Sequence, residues 1–162
     1  MRYAAALLVC FIVAGCGPEP EPPPPAGFIA LERDFIGYDT WEVKAFEGEF
    51  VDEAHTAGPR KVFLNKRAPS GSTEWPVGTI FVKELDFTTF AMVKRGNGYN
   101  ENGAKGWEWF ELTRDANDVS RIKWRGLGPP LGENYSKSGQ TCNACHGGAV
   151  ANDSVLTVDF HF

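Results

Sequence analysis

Histidine is scarce in this chain: His55, His146 and His161 are the three among 162 residues. Methionine is scarcer, with Met92 the one residue besides the initiator. Cysteine occurs four times, as Cys10 and Cys16 near the N-terminus and Cys142 and Cys145 near the C-terminus. Each shortage narrows the functions open to the protein. A structural zinc site takes four ligands, and Cys142 and Cys145 have only singly placed histidines to draw on. A thiol redox pair expects a thioredoxin-like βαβ context, and no such alternation is present. Basic charge is in deficit, with a net charge of −5, so the footprint of a nucleic-acid binder is missing. No apolar run approaches the roughly 20 residues that span a bilayer. Long heptad-like helices, which a four-helix bundle requires, are also absent.

Against that background one stretch stands out. Cys142-Asn143-Ala144-Cys145-His146 has the C-x-x-C-H pattern of covalent c-type haem attachment. One helical turn brings the two sulfurs under the two vinyl groups of the macrocycle. The next residue, His146, then lies beneath the iron as axial ligand. The pattern predicts a haem c cofactor bound by Cys142, Cys145 and His146, with His146 on the metal.

The N-terminus has its own grammar. Residues Ala4 to Ala14 form an apolar segment of signal-peptide length that ends in Val13-Ala14-Gly15-Cys16. This tetrapeptide resembles the lipobox of bacterial lipoproteins, which predicts a signal over 1–15 and lipidation at Cys16. The resemblance places the protein on the periplasmic face of a membrane; Gly17 after the cysteine favours the outer membrane. Such a compartment permits disulfides, but lipid and haem would account for every mature cysteine. Gly17 to Gly27 reads GPEPEPPPPAG. So much proline favours extended polyproline II, which predicts a semi-rigid stalk of roughly 30 Å over 16–27.

The remainder, 28–162, reads as one domain. Leu31 to Glu47 is the best candidate for a helix, from the recurrence of Phe35, Tyr38 and Trp41. After it the pattern changes to strands: Lys61–Asn65, Val77–Leu85, Thr88–Arg95, Trp107–Thr113, Ser120–Arg125 and Val155–Phe160. Only Asp86-Phe87 separates the second and third of these, which predicts a tight hairpin. Along Trp107–Thr113 neither face is purely polar, so this strand is expected to be central or beside the haem. The predicted fold is mainly β with a short N-terminal helix, an antiparallel sheet and a C-terminal haem-binding turn.

The domain resembles the cytochrome P-460 and cytochrome c′-beta family. GTIFVKE at Gly78–Glu84, MVKRG at Met92–Gly96 and GWEWFEL at Gly106–Leu112 carry the resemblance, followed by WRG at Trp124–Gly126, Pro129-Pro130, Gly132-Glu133 and CNACH. It covers roughly Asp34 to Phe160. It implies a β-sheet homodimer with haem at one end. One branch of the family links a lysine covalently to the macrocycle and oxidises hydroxylamine and nitric oxide. The other lacks the link and binds nitric oxide or carbon monoxide. By its place after GTIFV, Lys83 is the candidate for such a crosslink; the alternative is an ordinary surface lysine.

Hydroxylamine oxidation needs a general base near the open face of the iron. Glu108 and Glu111 are the acidic candidates, on opposite faces of their strand. Burial beside Trp107 and Trp109 would raise the pKa of Glu111 towards a useful range, and a salt bridge is the alternative for either. Arg60 and Arg125 are candidates for the haem propionates. Met92, His55 or His161 as sixth ligand would make the protein an electron carrier, whereas a Met in an apolar strand is ordinarily core filler. Three functions therefore stay open: an oxidase or gas binder served by a periplasmic redox partner, a six-coordinate electron-transfer cytochrome, and a haem sensor or structural lipoprotein without turnover.

Overall fold

A computed structural model of the protein describes residues 27–47, 55, 58–133, 135, 140–157 and 159–162. The expected signal, Cys16 and nearly all of the proline-rich stretch lie outside the described residues. The described chain is built on one antiparallel sheet whose six strands lie side by side in sequence order. They are β1 (Glu42–Phe46), β2 (Arg60–Leu64), β3 (Ile80–Glu84), β4 (Thr89–Lys94), β5 (Trp107–Arg114) and β6 (Ser120–Gly126). A short helix α1 (Cys142–Gly147) and a 3-10 turn (Val150–Asn152) follow. The mainly β, antiparallel expectation is met.

The expected helix over Leu31–Glu47 is not formed. Two 3-10 turns, Glu32–Phe35 and Tyr38–Thr40, precede β1 instead. Phe35, Tyr38 and Trp41 are three residues apart, which is the repeat of a 3-10 helix as well as a step of an α-helix. Gly37 decides between them. It adopts φ 70, a left-handed conformation that interrupts a right-handed helix. Beyond Trp41 the backbone pairs with β2 from Glu42↔Leu64 to Phe46↔Arg60.

Val155–Phe160 forms no strand in its described residues. Val155 and Phe160 are buried, but the backbone there is held by a side chain. Asn152 Nδ2 donates to the carbonyls of Val155 (3.0 Å) and Phe160 (2.7 Å). The apolar pattern encoded burial, and burial does not require a ladder. The β3–β4 hairpin is tight as expected, with Leu85 N donating to Thr88 O at 2.9 Å across Asp86-Phe87.

Register determines which residues share a face. Val62, Lys83, Phe90, Glu111 and Trp124 pair in one row across the sheet. Leu64, Phe81, Met92 and Trp109 pair in the next, on the same face. The other face carries Phe63, Val82, Ala91 and Phe110, closed by Ala30, Phe35 and Tyr38 from the N-terminal turns. Phe35 and Phe110 meet with ring centroids 5.2 Å apart. Burying one such ring stabilises the fold by roughly 1.5–3 kcal/mol. β5 is flanked on both sides and buried from Trp107 through Leu112, which explains why neither of its faces read as polar.

Candidate cofactor site

Helix α1 carries the C-x-x-C-H residues, and its start is written locally. Thr141 is the N-cap, and its hydroxyl accepts from Ala144 N at 3.2 Å. Asn143, between the cysteines, docks the helix onto the loop between β4 and β5. Its Oδ1 accepts from Ala104 N (2.8 Å) and Asn100 Nδ2 (2.7 Å), and its Nδ2 donates to Asn102 O (2.7 Å). Gly103 permits this approach: at φ 109, a Cβ there would lie 2.5 Å from the Asn143 amide. Asn143 was not singled out from the sequence. An amide inside the motif, with a loop rich in Gly and Asn upstream, was the available signal.

Docked in this way, α1 faces the sheet across a cavity of about 260 Å3. This lies just under the roughly 300–1,000 Å3 of typical small-molecule pockets. Gln140, Thr141 and Leu156 are exposed at its edge, so a larger group can extend outward. Phe81, Phe90, Met92, Trp109 and Trp124 wall the sheet side. Cys142, Cys145, His146 and Lys83 all line this same cavity. The four residues are thus brought together from two distant parts of the chain.

His146 has the supporting bond that a metal-ligating imidazole needs. Its Nδ1 lies 2.8 Å from the carbonyl oxygen of Ser154. A carbonyl can only accept, so Nδ1 carries the proton and Nε2 the lone pair. Trp109 packs beside the ring at 5.8 Å between centroids. Burial pushes the Cys142 thiol up to about 11. A thiol can add across a vinyl group, its S–H proton passing to carbon as the thioether forms; a bare metal ion would instead bind the thiolate. Among the described residues no cluster of three His, Cys, Asp or Glu could hold such an ion.

The residues fit a covalent haem on one further observation. Trp109 Nε1 is buried and has no hydrogen-bond partner in the protein, although the side chain lines the cavity. Buried donors are ordinarily satisfied. An occupant with an acceptor, such as a carboxylate, would complete it.

The two glutamates separate as their alternation required, and both are held by donors. Glu108 is on the closed face, away from the cavity. It accepts from Arg125 Nε (2.7 Å) and Nη2 (2.6 Å), with Arg95 at 3.5 Å. Arg125 also donates to Ala30 O at 2.8 Å, so it is a clamp on the N-terminal segment and not a propionate holder at the cavity. Arg60 lines a separate depression with Phe46, Lys61 and Glu84. Glu111 is on the cavity face, directly behind the wall. Burial raises its pKa, but the donors Tyr135, Lys123 and Trp124 outweigh burial, and the net shift is downward. Lys123 Nζ donates at 2.9 Å and Trp124 Nε1 at 2.7 Å, and Tyr135 Oη donates as well. Of the two readings open for Glu111, the salt bridge is the one found, with Lys123 of the neighbouring strand, and its donors lower the pKa that burial alone would raise.

Tyr135 itself lines the cavity and packs edge-on against Phe90, with ring centroids 5.2 Å apart. Its place in a loop rich in Pro and Gly hid this role. Met92 is buried among these aromatics. His55 also lines the cavity and packs against Phe90 at 5.3 Å, whereas His161 is exposed.

No protein-family model, curated protein or solved structure matches the chain.

Proposed function

We propose that the cavity holds a haem, attached through Cys142 and Cys145 and ligated by His146, in a domain of the cytochrome P-460 type. The observation that carries this reading is the shared cavity: the residues of the motif and Lys83 line one aromatic space, and Trp109 leaves a buried donor unsatisfied within it. The haem would supply an iron that takes up a small nitrogen species and exchanges electrons with a redox partner. The polypeptide supplies the rest. His146 would ligate the iron through Nε2, in the tautomer set by the Ser154 carbonyl. Phe81, Phe90 and Trp124 line the cavity and would limit the room beside a bound haem, which favours molecules the size of hydroxylamine, nitric oxide or carbon monoxide. Glu111, held ionised, fixes Tyr135 and Trp124 in the wall and is a weak base for chemistry near neutral pH. Lys83 is the residue that would add a second covalent link.

The optical spectrum and intact mass of the purified protein test this reading. A high-spin haem that binds carbon monoxide when reduced is the expected result. A crosslink at Lys83 would leave the mass two hydrogens below that of the thioether adduct and give a red-shifted band after reduction. Turnover of hydroxylamine with an artificial acceptor, lost in Lys83→Ala, assigns the oxidising branch; gas binding without turnover assigns the other. Absence of covalent haem overturns the proposal.

A second reading draws on the positions of His55 and Met92 at the cavity. Either as sixth ligand would give a low-spin electron carrier. That outcome is recognised by a sharp low-spin spectrum that turns high-spin in His55→Ala or Met92→Leu.

The proposal extends to the cellular setting. Among the described residues no helix is long and apolar enough to cross a membrane. We propose lipid on Cys16 as the tether to the periplasmic face of the outer membrane, with the domain acting as a homodimer. Cys16→Ser is expected to move the protein from the membrane fraction to the soluble periplasm. A soluble wild type with an unmodified N-terminus would refute the tether.

A further inference from the structure

The turn behind His146 is held by side-chain bonds from several elements. Asp153 and Ser154 both adopt left-handed backbone conformations, at φ 45 and φ 70. Consecutive non-glycine residues rarely do so, and such strain persists only where the surroundings over-determine it. Here the surroundings are specific. Lys94, on β4, is 4% exposed. Its Nζ donates to both Asp153 carboxylate oxygens, at 2.8 and 2.7 Å, and to Lys105 O at 3.1 Å. Trp75 N donates to Asp153 Oδ2 at 2.9 Å, and Trp107 Nε1 to the Asp153 carbonyl at 2.7 Å. Ser154 N donates to Ala149 O at 2.8 Å. This set of bonds aims the next carbonyl, that of Ser154, at His146 Nδ1, 2.8 Å away.

We propose that Lys94 and Asp153 are positioning residues for His146. Their buried ion pair fixes the strained turn from the sheet side, and the turn's carbonyl fixes the tautomer and orientation of the imidazole. The consequence at iron rests on the haem reading above; the link from Lys94 to the imidazole belongs to the polypeptide alone. A fixed acceptor on Nδ1–H also increases the donor strength of Nε2, so a loosened turn weakens the iron–histidine bond.

The test uses the 15N-labelled full-length protein as isolated, in its reduced, carbon monoxide-bound form if it carries haem. Two quantities are read: solvent exchange of the His146 Nδ1 proton, and the iron–histidine stretching band of the reduced, ligand-free protein. In Asp153→Asn the proton is expected to exchange about tenfold faster or more, the scale on which hydrogen bonds to a charged group act. The stretching band should fall in frequency, while amide exchange in β3–β5 stays unchanged. Lys94→Gln with Asp153→Asn leaves no buried charge, keeps the experiment readable if the single variant does not fold, and should show the same loss. An unchanged proton and band in the variants, or a wild type that carries the proton on Nε2, overturns the proposal. If the isolated protein has no haem, the haem reading fails by itself, and the proton exchange still decides the positioning role.

Discussion

The two faces of the sheet treat the same kinds of residue differently, and β5 displays the contrast within a few positions. On the closed face, Glu108 is mated to Arg125, whose guanidinium also lies over Phe110 at 4.8 Å and grips the N-terminal segment. Glu108 and Arg125 find their partners within the polypeptide, and the ion pair serves the fold. On the cavity face, Glu111 is also satisfied, but its partners Trp124 and Tyr135 have their rings in a cavity wall. Beside them Trp109 keeps a buried donor without a partner. The closed-face carboxylate serves the fold, whereas the cavity-face carboxylate fixes two rings of a wall beside an open buried donor.

The largest test of this contrast removes the two thiols proposed to hold a haem. Cys142→Ala with Cys145→Ala is expected to leave no haem after acid–acetone extraction of the denatured protein. Retention would point to a lysine link, and adding Lys83→Ala separates that case. The closed face should be indifferent: its ring packing, read by near-ultraviolet circular dichroism, is expected to persist.

The reverse test attacks the closed face. Glu108→Ala leaves Arg125 without its carboxylate beside a buried layer. Arg125 is 30% exposed and keeps its bond to Ala30 O, so losing its two bonds to the carboxylate costs about 3 kcal/mol; the denaturant midpoint should drop while the haem spectrum of the folded protein is unchanged. A small loss of stability with an altered spectrum would reverse the roles assigned to the two faces.

Glu111→Gln gives a smaller, pH-dependent effect. The folded-state pKa of Glu111 is depressed below its ordinary 4.5 despite burial, through Tyr135, Lys123 and Trp124. The carboxylate therefore contributes stability that is fully present above about pH 4.5 and is lost as pH falls through the lower folded value. At neutral pH the variant should be less stable by about 1–3 kcal/mol, the scale of hydrogen bonds to a charged group. Chemical unfolding at several pH values should show the gap to wild type closing below pH 4.5. A gap that widens on acidification would contradict the depressed pKa.

The smallest effect is expected from Met92→Leu. A swap that conserves volume costs less than about 1.5 kcal/mol, and the haem spectrum should not change. A wild-type low-spin spectrum turning high-spin would identify Met92 as an iron ligand and make the cavity face complete without a substrate.

The strands were legible in the sequence because alternation and β-branched residues mark them directly. Arg60–Leu64, Ile80–Glu84, Thr89–Lys94 and Ser120–Gly126 lie within a residue or a few of their expected limits. Misreadings arose where one apolar pattern serves two backbones. Phe35, Tyr38 and Trp41 suit an α-helix or 3-10 turns, and Val155 and Phe160 suit a strand or a buried coil. In each case the arbiter was a long-range contact: pairing with β2 in the first, and the Asn152 side chain in the second. Local spacing carries no information about either.

By itself, the sequence determined which groups α1 carries, two thiols and an imidazole at C-x-x-C-H spacing within about one helical turn. It also determined that Glu108 and Glu111 would face opposite ways, because side chains along a strand alternate. Only the tertiary structure decided what each of them meets. Lys83 lines the same cavity as His146 because of sheet register, and Asn143 and Ser154 place α1 and aim its histidine through residues far away in the chain. Periodicity gives a side chain its direction, but its partner comes from another part of the chain, and hydrogen bonds, ion pairs and cavities are properties of partners.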